Sequence, residues 1–79
     1  MGNKMTLANL KVGESAIIKK VEGEGALRRR LLEMGITPNT RVTVRKVAPL
    51  GDPIELTLRN YELTLRRSDA DQIKIAEVI

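Results

Sequence analysis

The chain has no cysteine, histidine, tryptophan or phenylalanine, and Tyr61 is the one aromatic among its 79 residues. Each absence excludes something. Without cysteine there is no disulfide scaffold, which argues against a secreted mini-protein needing covalent staples at this length. Without histidine or cysteine, no zinc or ferrous site with nitrogen or sulfur ligands can be assembled. Ser15 and Ser68 are the only serines, and no imidazole exists to activate either one. A single tyrosine is a thin platform for stacking bases or lining a proline-rich-peptide groove. Apolar runs are short, so no segment reads as a bilayer span or a signal peptide. A cytoplasmic protein without membrane insertion is expected.

What remains reads as one domain, 1–79, with a flexible leader over 1–5. A chain of this size buries about 60% of its unfolded surface, around a core that must be aliphatic. Met1-Gly2 followed by Thr6 fits the loose myristoylation pattern, but a start at Met5 after a short leader explains the same letters. The net charge is +4, unevenly spread. Arg28, Arg29, Arg30, Arg41, Arg45 and Lys46 face Glu33 alone in the middle, whereas the stretch from Gly51 onward is acidic. A basic middle touches nucleic acid or an acidic protein surface, or is simply a solvated face.

The densest signal runs from Val42 to Arg67. Ile54, Leu56 and Leu58 alternate with Glu55, Thr57 and Arg59; Leu63 and Leu65 alternate with Glu62, Thr64 and Arg66. A turn at Asn60-Tyr61 would set Leu58 against Leu63 and Leu56 against Leu65 on the inner face. Outside, it would pair Arg59 with Glu62, Thr57 with Thr64 and Glu55 with Arg66. Val42 and Val44 point inward on the preceding strand, 40–47, where Val47 breaks the alternation. Pairing Val47 with Ile54 and Val44 with Leu56 then requires an extra residue, a β-bulge at Arg45-Lys46. Pro49 and Gly51 suit a type I turn between these strands.

Residues 6–10 read as a helical turn or extended lead-in, residues 11–14 as a turn, and residues 15–21 as the first strand. The Ile17-Ile18 pair leaves that strand's inner face open. Residues 26–34 form the convincing helix, with Leu27, Leu31 and Met34 in one stripe, Gly35 as its C-terminal cap and Pro38 preventing its resumption. Residues 68–72 read as a helical turn capped by Ser68 or Asp69, and residues 73–79 as the last strand. Five short strands and one helix predict a mainly β fold, a small SH3-like barrel.

Nothing in this pattern is catalytic. Glu33, Asp52, Glu55, Asp69 and Asp71 offer oxygen to a hard ion, yet each has a structural role; no metal site and no cofactor is expected. Gly23-Glu24-Gly25 lacks the Lys-Ser/Thr of a phosphate loop. The rival to an interaction module is a small nucleic-acid-binding barrel using Arg28, Arg29 and Arg30. The expected Arg59 and Arg66 ion pairs count against it, and tight nucleic-acid binding is not anticipated.

The segments 31–38 (LLEMGITP), 48–54 (APLGDPI) and Leu63-Thr64-Leu65-Arg66 with Ala70 and Ile73 resemble the FeoA family. Its fold is similar to the C-terminal domain of iron- and manganese-dependent repressors. Asn39 and Asn60 stand where that family commonly has Gly; Asn best tolerates the left-handed backbone after Gly. The resemblance implies a small cytoplasmic accessory protein of bacterial ferrous iron transport. It implies docking on the transporter FeoB, which carries a cytoplasmic GTP-binding domain, and no enzymatic activity. The resemblance does not settle which face docks, and self-association stays open. Leu32 lies off the helix stripe beside Arg28, so a partner or its own chain's 7–10 segment must cover it. Leu32 with Arg28 and Arg29, joined by Pro49, Leu50, Gly51 and Asp52, is the partner-binding surface expected from these letters.

Overall fold

The computed structural model describes residues 5–79, the side chain of Glu77 excepted. A 3-10 turn, Leu7–Asn9, precedes strand β1, Ser15–Val21, and helix α1, Gly25–Glu33. Strands β2, Arg41–Val47, β3, Ile54–Leu58, and β4, Tyr61–Leu65, follow. The single helical turn α2, Arg67–Ala70, leads into β5, Ile73–Val78. All strand neighbours are antiparallel, in the order β4-β3-β2-β1-β5. Among the described residues no ladder joins β4 to β5, so the small barrel stays open there and α2 connects its two edges. Of the leader expected over 1–5, only Met5 lies within the described residues, and its carbonyl accepts from the Ile75 amide. The Met1-Gly2 pattern lies outside them.

The core follows the alternation. Ile54, Leu56 and Leu58 of β3 and Val42 and Val44 of β2 are buried, while Arg41 and Arg45 are exposed. In β1 the register shifts on either side of Ile18, which buries Ile18 and leaves Ile17 half-exposed. On β2, Val44 faces Leu56, Val47 faces Ile54, and Lys46 faces Glu55. Arg45 is thus the extra residue, and the expected bulge is present.

The hairpin register differs from expectation. Leu56 faces Leu63, Ile54 faces Leu65 and Leu58 faces Tyr61. The turn is the two-residue loop Arg59-Asn60, with φ of 47° and 71°. Positive φ at both central residues marks a type I′ turn, whose twist matches that of the flanking strands. Moving the turn back one residue slides the ladder by two, so every leucine keeps its face while every cross-strand partner changes. Glu55 therefore faces Thr64 and Thr57 faces Glu62. Glu62 pairs with Arg45 instead of Arg59, and Arg66 has no ion-pair partner among the described residues. Among the described residues no glutamate therefore neutralises Arg59 or Arg66, contrary to expectation.

Helix α1 ends as its glycine predicts. The Ile36 amide bonds the Leu31 carbonyl at 3.0 Å and the Gly35 amide bonds that of Leu32 at 3.0 Å, with Gly35 at φ 97°. This is a Schellman cap, closed by the apolar contact position Ile36 over Leu31, both fully buried. Leu27 and Met34 are only half-buried, because a helix of nine residues sets a single turn fully into the barrel. The cap expected for α2 is not Ser68 or Asp69: Arg66 is the N-cap, without a side-chain bond. Asp52 supplies the missing acceptor from across the fold, its Oδ1 lying 3.0 Å from the Arg67 amide. Asn39, at φ 72°, and Asn60 both take the left-handed backbone expected of them.

Candidate partner-binding surface

Two elements carry the surface anticipated from sequence, and the fold sets them apart. Loop 48–53 joins β2 to β3, whereas the Arg59-Asn60 turn lies at the far end of β3. The C-terminal end of α1 belongs with that turn, since Tyr61 Oη donates to the Met34 carbonyl. Arg59 Nη2 reaches Thr40 Oγ1 at 3.1 Å, and Thr40 and Thr37 share a hydroxyl bond of 2.8 Å. These bonds clasp the hairpin tip to the α1–β2 connection. A five-residue strand spans roughly 17 Å, and that length of β3 separates the hairpin tip from the loop.

On the helix, Arg28 is exposed but turned back on its own chain, its Nε 3.2 Å from the Val21 carbonyl. Arg29 is exposed with no ion pair among the described residues. Leu32 is half-buried and packs against the core, so both its own chain and the solvent claim part of it. The 7–10 segment, meanwhile, packs on α2 and β5.

The loop is different in kind. Leu50 is 96% exposed. Its surroundings are held at three points: Gly51 N to Ala48 O at 2.7 Å, Ala48 N to Pro53 O at 3.1 Å, and Arg67 N to Asp52 Oδ1 at 3.0 Å. The first closes the expected turn through Pro49. Pro49 and Asp52 are exposed and Gly51 is half-buried at φ 88°. Asp52, Pro53 and Arg66 line an open hollow beside it.

Among the described residues no hydrogen bond or ion pair joins Leu32, Arg28 or Arg29 to this loop. The connection runs through α2: Asp52 holds Arg67, and Asp69 Oδ2 lies 3.5 Å from Arg30 Nη2. Arg66 and Arg67 therefore lie against the loop, and Arg30 meets α2. Strand alternation gave Arg66 an outer position, and the β3–β4 register, with Ile54 opposite Leu65, brings it to Asp52 and Pro53 at the base of the loop.

Among the described residues no three carboxylates gather where they could hold a metal ion, and no helix is long and apolar enough to cross a membrane. Ser15 is buried and its hydroxyl bonds Thr43 at 2.7 Å. What the surface offers is one apolar tip and several cations.

Comparison with known proteins gives consistent matches. The FeoA domain family model matches residues 5–77. The Fe(2+) transport protein A/Fe(2+) transporter FeoB fusion protein of Porphyromonas gingivalis is 42% identical over 71 residues, 90% of this chain and 8% of the fusion. The chain thus spans under a tenth of that curated relative's length. A FeoA-like protein from Clostridium acetobutylicum superposes with a TM-score of 0.85 at 33% identity, covering 96% of this chain and 88% of that one. The zinc complex of Stenotrophomonas maltophilia FeoA, described as a procaryotic SH3 domain protein, gives 0.81 at 28% identity over 91% and 89% of the two chains. The likeness to metal-dependent repressors is one of fold alone. A manganese-dependent transcriptional repressor reaches a TM-score of 0.87 at 14% identity, covering 100% of this chain and 43% of the repressor.

Proposed function

The chain belongs to the FeoA family, and from that premise we propose that it is a non-catalytic accessory protein of ferrous iron uptake, docking on the cytoplasmic GTP-binding part of a FeoB transporter. One observation carries the proposal: in the Porphyromonas gingivalis relative, a domain like this one and FeoB are a single polypeptide. Fusion makes an association intramolecular and raises the partners' effective concentration. A domain that works in one chain with FeoB there has reason to bind a FeoB transporter here.

The docking surface comprises Leu32 with Arg28 and Arg29 on the helix, and Pro49, Leu50, Gly51 and Asp52 on the loop. Apolar contact supplies affinity and the arginines steer encounter. The protein acts in the cytoplasm, contributes no catalytic group and binds nucleic acid at most weakly. The test is co-purification of the tagged chain with detergent-solubilised FeoB from the same organism, intact and without its cytoplasmic domain. Retention by the intact transporter and loss with the domain deleted support the reading. Equal retention by both, or by neither, refutes it.

A further inference from the structure

Resting on the reading above, we infer that Leu50, flanked by Arg66 and Arg67, is the principal anchor: an apolar knob that enters a carboxylate-rimmed apolar pocket on the cytoplasmic part of FeoB. Nothing in the fold uses this leucine. It is almost wholly in water, at the third position of a turn closed by the Ala48 carbonyl and the Gly51 amide. That turn imposes no demand for an apolar side chain there.

The fold does, however, hold the tip still. Two backbone bonds close the base of the loop, and the Asp52 carboxylate ties it to α2. A partner that receives Leu50 then orders little that is not ordered already, which is what makes one side chain an effective anchor. Leu32, by contrast, is half committed to its own core and presents less new surface.

The charges define the pocket's rim. Of the carboxylates nearby, Asp52 is engaged by the Arg67 amide and Asp69 by Arg30. Arg66 and Arg67 are exposed and without ion pairs among the described residues, and the Arg67 guanidinium lies over Gly51, next to the tip. Two unspent guanidiniums beside an apolar tip fit acidic groups around an apolar hollow. An anionic membrane surface offers no apolar hollow shaped for a single protruding side chain, and the test below separates it from the transporter.

The test compares the whole chain with Leu50→Asp, Leu50→Ala and the double variant Arg66→Gln/Arg67→Gln. Binding to the purified cytoplasmic part of FeoB is followed by biolayer interferometry at low and physiological salt, with a melting curve for each protein. Leu50→Ala is expected to weaken binding about tenfold, and Leu50→Asp to abolish it, at unchanged melting temperature. The arginine variant is expected to slow association and flatten the salt dependence. If the unaltered chain binds but Leu50→Asp binds within about twofold of it, the anchor is elsewhere and only this inference falls. If the unaltered chain does not bind at all, the docking reading itself fails. Unfolding of Leu50→Asp, or Leu50-dependent binding to phosphatidylserine vesicles in place of the transporter fragment, also overturns it.

Discussion

Gly35 occupies the position at which the backbone must turn left-handed to close the Schellman cap, at φ 97°. It is crowded as well: a Cβ there would lie 2.7 Å from Tyr61 Oη. Alanine at this position meets both the backbone penalty and the tyrosine, so Gly35→Ala is expected to destabilise the fold by about 1–3 kcal/mol. A urea midpoint indistinguishable from that of the unaltered chain would contradict it. Asn60 is the milder case. At φ 71° it already tolerates the turn, so Asn60→Gly should change stability by less than about 0.5 kcal/mol, whereas Asn60→Val should cost about 1–2 kcal/mol. Equal midpoints for those two variants would show that the left-handed backbone at this position does not bear on stability.

Among the elements, α2 links the 48–53 loop to α1, through Asp52 and Arg30. It is one turn long, too short to persist without help, and Asp52 caps it from a loop 15 residues away. Asp52→Ala removes that acceptor and is expected to cost about 1 kcal/mol, with faster hydrogen exchange at the Arg67 amide. Unchanged exchange there would show that the cap contributes nothing.

This contact was not legible in the sequence, because a non-local cap leaves no local pattern; Ser68 and Asp69 looked like better caps than a residue from another loop. Strand positions, the bulge at Arg45 and the α1 terminator were legible, since alternation, a phase break and a glycine are all local signals. The hairpin register was not. The pattern fixes which face each leucine takes, but two registers differing by two residues satisfy it equally. Only turn chemistry separates them, and Arg59 is an unusual residue for the left-handed position it fills. Of the proposed docking surface, Leu50 and Asp52 stand out between prolines, whereas Arg67 meets Asp52 only through the folded path of α2.

The whole molecule is a small aliphatic barrel carrying +4 charge and no nitrogen- or sulfur-rich ligand set. Although its family serves ferrous iron transport, this chain should not hold the ion tightly itself. Hard oxygen sites need several convergent ligands, and the described residues bring no three carboxylates together. Anaerobic calorimetry with ferrous iron is expected to show no stoichiometric site of micromolar or tighter affinity; such a site on the monomer would contradict this. A salt titration against nonspecific duplex DNA should likewise reveal only weak, steeply salt-dependent association. The central claim is that this barrel binds FeoB. It is tested most directly by calorimetric titration of the chain into the transporter's cytoplasmic GTP-binding domain, with and without nucleotide. A saturable heat of one chain per domain, stronger in one nucleotide state or equal in both, is the predicted result. No heat in either state, with tight binding to DNA under the same conditions, would contradict it.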